Sequence, residues 1–205
     1  MKRITILAIF LLTVSIYRAQ GDEYGWRTTY NNLGYINTTM LQEGIPNLKS
    51  NCGISYTTGT TYYLHAPIAG FLRLGIDVTW FDINYTNYKI KHITYQGTNT
   101  YKYHQGEVSM HIGPSLSLQF GWLNIHGYFR YAPAYSVMYA NDSLSGNYST
   151  FFVGGASISY GAIGLGVESR FGGCDYKTIF EDIEGYAGPI SANYKGLKAY
   201  LTFRF

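Results

Sequence analysis

The chain has 205 residues with 22 Tyr and 24 Gly; 18% of it is aromatic and only 13% charged, against about 25% charged in an ordinary soluble domain. Its formal net charge of +3 is carried by the first residues: without Lys2, Arg3 and Arg18, 12 basic residues face 12 acidic ones. A balanced chain of this kind offers no polyanion-binding surface, which excludes nucleic acid as an expected partner.

Lys2 and Arg3 precede an uncharged apolar run from Ile4 to Ile16, and small residues follow at Ala19 and Gly21. That order is the n-region, h-region and cleavage site of a secretory signal, and the run is too short for a membrane-spanning helix. The reading is a signal peptide over 1–20, cut after Ala19 or Gly21, and one domain over 21–205. No Cys lies near the cut, so no lipoprotein anchor is expected.

Beyond the signal, the apolar period is two. Cys52, Ile54 and Tyr56 share a face in Asn51 to Tyr63. In Gly70 to Phe81, Leu72, Leu74, Ile76, Val78 and Trp80 oppose Arg73, Gly75, Asp77 and Thr79. In Glu107 to Phe120, Val108, Met110, Ile112, Leu116, Leu118 and Phe120 oppose Glu107, Ser109, His111, Ser115, Ser117 and Gln119. Leu123, Ile125, Phe129 and Tyr131 then oppose Asn124, His126, Tyr128 and Arg130. Phe152, Ala156, Ile158 and Tyr160 line one face of Thr150 to Tyr160. Ile163, Leu165, Val167 and Phe171 oppose Gly164, Gly166, Glu168 and Arg170. At the C-terminus Leu197, Ala199, Leu201, Phe203 and Phe205 oppose Lys198, Thr202 and Arg204. Alternation this long is a strand signal with no competing helical pattern.

Short connections at His65 to Ala69, Gly121 and Gly161 alternate with long polar stretches at roughly Thr86–Tyr103, Ala140–Asn147 and Asp175–Asn193. Bacterial transmembrane barrels have short periplasmic turns and longer outer loops. The count of up and down strands then requires a first strand within Trp26 to Thr39, with Gln42 to Lys49 as its outer loop. The fold class expected is all-β: an antiparallel, up-and-down transmembrane barrel of about eight strands. A soluble lipocalin-like barrel is the runner-up and would invert the faces. Parity also fixes two hairpins. Two-residue turns at Gly121-Trp122 and Gly161-Ala162, of the type II′ favoured by a leading Gly, set Ser117 opposite His126 and Gly155 opposite Glu168. Cys52 and Cys174 fall on opposite faces of separated strands, too far apart for a disulfide.

The polar face gathers Arg73, Asp77, Glu107, His111, His126, Arg130, Glu168, Arg170, Lys198 and Arg204. An eight-stranded barrel is just wide enough for side chains to fill it, and buried charges persist only when paired. The expectation is therefore a plugged, salt-bridged lumen. The five His lack metal-ligand spacing, so neither a metal nor a cofactor is expected. Ser157 and Ser159 miss the G-x-S-x-G elbow. The one enzymatic alternative is an acyltransferase, lipase or protease at the outer rim, using Asp82, His92 and His104. Outer Tyr85, Tyr88, Tyr95, Tyr101 and Tyr103 beside Lys89, Lys91 and Lys102 suit either an aromatic girdle or contact with lipopolysaccharide phosphates.

Leu48-Lys49-Ser50-Asn51, the segment from Pro67 to Asp77, and Gly127-Tyr128-Phe129-Arg130-Tyr131-Ala132-Pro133 resemble small Gram-negative outer-membrane β-barrel proteins. In plan the whole chain after the signal is similar to the OmpA and OmpX transmembrane barrels. The terminal strand resembles their C-terminal assembly signal, carried here by Leu201, Phe203 and Phe205. The resemblance implies location in the outer membrane of a Gram-negative bacterium. It also implies contact with membrane lipid and lipopolysaccharide, and engagement by the barrel-assembly machinery during biogenesis. It transfers no catalytic residue, and the ligand of the outer loops stays open. The function expected is a non-catalytic structural or surface-interaction role.

Overall fold

The computed structural model describes residues 25–42, 45–94, 97–140, 143–176 and 190–205; near several of the breaks, including 90–101, only the backbone is described. The signal segment lies outside these residues. Eight strands follow one another: β1 (Thr29–Gln42), β2 (Ile45–Tyr63), β3 (Leu72–Thr94), β4 (Gly97–Phe120), β5 (Leu123–Ala140), β6 (Ser143–Tyr160), β7 (Ile163–Tyr176) and β8 (Ile190–Arg204). Each pairs antiparallel with the next, and β1 pairs with β8 to close the barrel. The last rung is reciprocal. Phe205 N–H donates to Thr29 O at 2.8 Å and Thr29 N–H to Phe205 O at 3.2 Å. Closure leaves no open edge, which a sheet in lipid requires.

The faces are those of a membrane barrel rather than a lipocalin. Leu74, Ile76, Ile112, Leu165 and Leu201 point outward, Leu165 with 62% of its surface exposed, while Asp77, Arg130 and Lys198 are buried inside. From Phe120 to Val108, at about 3.4 Å per residue and a tilt of about 40°, the outward apolar run of β4 rises roughly 30 Å. That matches a bilayer's hydrocarbon core. The chain is a transmembrane β-barrel of the outer-membrane class.

Both two-residue hairpins have the register that parity requires, with Ser117 opposite His126 and Gly155 opposite Glu168. Gly121 and Gly161 each take φ +60°, and neither Trp122 nor Ala162 does; positive φ at the first central position alone is the type II′ signature.

Two expectations are corrected. The stretch Thr86–Tyr103 is not a loop: β3 and β4 continue as a paired hairpin up to Thr94 and Gly97. Likewise β5 and β6 run on to Ala140 and from Ser143, and β1 and β2 to Gln42 and from Ile45. The outward faces of these extensions stand above the lipid, so nothing forces them to be apolar and the period-two contrast fades. Second, β3 carries a bulge, its register to β4 shifting between Thr79 and Asp82. Trp80 and Phe81 both face outward. Parity flips there, and Asp82, Asn84, Thr86 and Tyr88 enter the lumen.

Candidate functional site

The lumen is layered. At the turn end a cavity of about 310 Å³ is lined by Arg27, Gln119, Trp122, Asn124, Ser159 and Arg204. Above it lies a charged layer, and above that an apolar one.

In the charged layer four carboxylates (Asp77, Asp82, Glu107, Glu168) meet three basic side chains (Arg130, Arg170, Lys198), all buried, and Arg73 and Arg204 are buried nearer the turns. Asp77, from β3, accepts from Tyr30 Oη at 2.6 Å and Thr61 Oγ1 at 3.1 Å. It also contacts His126 Nε2 at 2.9 Å and lies 3.0 Å from Arg130 Nε. That last contact is an ion pair by distance, but it lacks hydrogen-bond alignment. The Arg130 guanidinium carbon lies over the Tyr128 ring, 3.4 Å from its centroid, a cation–π contact.

Asp82 accepts from Thr57 Oγ1 at 2.5 Å, Asn84 Nδ2 at 2.7 Å and Lys198 Nζ at 2.8 Å, with His111 Nε2 at 3.5 Å. Lys198 also reaches Glu168 at 3.3 Å. Glu168 accepts from Tyr128 Oη at 2.8 Å and lies 3.8 Å from Arg130. Asn84 Nδ2 donates as well to Glu107 at 3.3 Å, and Glu107 pairs with Arg170 at 2.5 Å. The chain of contacts thus runs unbroken from Asp77 to Arg170 and draws on every strand except β6. Charges removed from water need this degree of partnering to be tolerated.

Of the residues the alternation places in the lumen, Asp77, Glu107, His111, His126, Arg130, Glu168, Arg170 and Lys198 come together here. Arg204 joins at one remove, donating to Thr61 Oγ1 at 3.2 Å. Arg73 sits nearer the turns: its Nε donates to His65 O at 2.9 Å and its guanidinium stacks over Tyr63 at 4.2 Å. Alternation before the bulge misses Asp82, which becomes a hub. It places Tyr128 inward, where that side chain is buried, but it leaves the tyrosine pillars Tyr30 and Tyr200 unnamed, because high Tyr content reads first as an interface girdle. For Tyr200 the parity of β8, which sets it between Lys198 and Thr202, is the signal that could have found it. Leu201 and Phe203 lie on the closing strand, Leu201 outward at 45% exposure, and Phe205 follows directly after it, bonded through its backbone to Thr29.

The rim constellation does not assemble from the side chains described. Asp82 is inside the barrel, whereas His104 is on the outer wall against Tyr85, Oη to Nδ1 2.6 Å. The His92 side chain lies outside the description. A different arrangement is present in the lumen. Ser117 Oγ contacts His126 Nδ1 at 2.8 Å, and His126 Nε2 contacts Asp77 at 2.9 Å. Serine, imidazole and carboxylate are in sequence, but all three are enclosed, with Ser117 at 0% exposure, and Tyr63 Oη donates onto the serine at 3.2 Å. A nucleophile must reach a substrate carbonyl to act, and Ser117 does not line the turn-end cavity or the two smaller lumen cavities formed by described residues. Among the described residues no group of three or more His, Cys, Asp or Glu side chains is placed to hold a metal ion.

The upper layer is apolar. Met40, Tyr88, Tyr103, Met138, Phe151, Cys174 and Tyr194 pack together there. Tyr88 Oη donates to Gln105 Oε1 at 2.8 Å, and Gln105 Nε2 donates to Ser136 at 2.8 Å. Tyr88 and Tyr103, expected in an outer loop, are therefore lumen residues. Cys52 faces outward, Cys174 inward, and no disulfide joins them.

No protein-family model matches the chain, and no curated protein sequence matches it. Solved structures do. The Neisserial surface protein A has 12% sequence identity, 86% of this chain and 97% of that one being covered, with a TM-score of 0.49. The outer membrane protease OmpT of Escherichia coli has 10% identity over 87% and 97%, TM-score 0.49. The attachment invasion locus protein Ail of Yersinia pestis has 6% identity over 86% and 99%, TM-score 0.38. A protease, a surface protein and an attachment invasion locus protein stand side by side at these identities, so nothing of their roles transfers.

Proposed function

We propose that this protein is a non-catalytic outer-membrane barrel, with its interior filled so that the wall stays rigid and closed and its outer surface free to interact. One observation carries the reading: the unbroken run of ion pairs and hydrogen bonds that crosses the lumen among the described residues. In a narrow barrel such side chains occupy the path a solute would need. Export by the signal over 1–20 and folding guided by Leu201, Phe203 and Phe205 belong to the same reading. The intact mass of protein recovered from the membrane should correspond to loss of 19 or 21 residues; an uncut chain would contradict the signal assignment.

The competing hydrolase reading rests on Ser117, His126 and Asp77. It is tested with purified protein in vesicles carrying an ester-labelled phospholipid and a labelled peptide. No turnover above empty vesicles is expected. Turnover that Ser117→Ala abolishes would replace the structural reading with an enzymatic one.

A further inference from the structure

We propose that the outward face of the β3–β4 hairpin, just above the lipid belt, holds a phosphate of an outer-leaflet glycolipid between Lys89 and Lys102. The proposal deepens the membrane-barrel reading and rests on it.

Going up the outer wall, β3 presents Ile83, Tyr85, Asn87 and Lys89, and the partner β4 presents Val108, Gly106, His104 and Lys102 in matching register. Ile83 and Val108 are exposed apolar residues and belong to the lipid belt. One rung higher, Tyr85 begins the polar zone. Its hydroxyl meets His104 Nδ1 at 2.6 Å, the two rings stack, and Asn87 Nδ2 stands 3.3 Å from the same nitrogen. These contacts make a fixed shelf. Directly above it Lys89 and Lys102 are paired across the strands, and both are exposed.

Like charges directly opposite one another destabilise a strand pair. Among the described side chains no carboxylate shares this patch. An anion between the two ammonium groups converts the repulsion into two charge-assisted hydrogen bonds. Height selects the anion. Four residues above Tyr85 correspond to roughly 10 Å along the barrel axis. A phospholipid headgroup layer is only about 5–7 Å deep on each side. A phosphorylated sugar headgroup is deeper, and the lysine stems can bend down toward its phosphate.

The test uses the full-length purified protein and native mass spectrometry with three lipids: a bisphosphorylated glucosamine-disaccharide lipid, its dephosphorylated form, and phosphatidylglycerol. The bisphosphorylated lipid should bind at least tenfold more tightly than either of the others. The double variant Lys89→Gln/Lys102→Gln should lose that preference. Lys195→Gln, which removes an outward lysine that lies opposite Thr39 and Phe171 on a strand not adjoining β3 or β4, should keep it. Equal binding of the phosphorylated and dephosphorylated lipids would overturn the assignment. So would an unchanged double variant, or equal loss in the control variant. Heat-modifiable gel migration reports folding of each variant separately, so failure of the site and failure of the barrel are distinguishable.

Discussion

Glu168 illustrates how the lumen depends on its individual charges. It accepts from Tyr128 and balances Lys198 and Arg130, yet Lys198 keeps Asp82 at 2.8 Å and Arg130 keeps Asp77 at 3.0 Å if it is removed. Breaking a buried pair usually costs about 3–5 kcal/mol. Because both cations retain one partner, Glu168→Ala should fall near 3 kcal/mol, read as a lower unfolding midpoint in detergent. Glu168→Gln fills the same volume and still accepts from Tyr128, so it should lose less. Equal stability of the Ala variant and the unmodified protein would mean that these ion pairs do not hold the wall.

At the scale of the strands, β6 contributes space instead of charge. A Cβ on Gly155 would sit 2.5 Å from Tyr128 Oη and 2.6 Å from its Cζ, whereas one on the outward neighbour Gly154 would meet nothing closer than 3.6 Å. Gly155→Ala should push Tyr128 off Glu168 and destabilise by about 1–3 kcal/mol, as overpacking does; Gly154→Ala should be neutral within about 0.5 kcal/mol. Chemical denaturation of the two variants in the same detergent checks the contrast. Within the bilayer the strands were legible because lipid forces one face apolar, and parity then set both tight hairpins. Three things were not legible. The bulge at Trp80–Phe81 leaves no polar gap in the sequence, so Asp82 looked like a rim residue. The extensions of β3 and β4 lie beyond the lipid, where neither face is constrained. The apolar cap around Phe151 and Tyr194 is built from residues that alternation places inward but that composition assigns to an interface.

The whole molecule is two environments in one wall. Across the lipid it is inverted, with apolar residues outside and ion pairs inside; beyond the ion pairs, away from the tight turns, its lumen is packed with Met40, Met138, Phe151 and Tyr194 in the manner of a soluble barrel. The apolar cap and the ion-pair layer beneath it obstruct the same axis by different physics, one by dispersion and exclusion of water, the other by partnered charge. Neither needs the other to block passage, so Glu168→Ala should weaken the barrel without opening it. Larger barrels of 16 to 18 strands leave an aqueous channel, and eight strands leave room only for side chains. Conductance of the purified protein in planar bilayers decides between a sealed wall and a pore. A baseline indistinguishable from the bare bilayer is expected for the unmodified chain and for Glu168→Ala alike; stable steps of general-porin size in the unmodified protein would show that the lumen is open and that its ion pairs do not seal it.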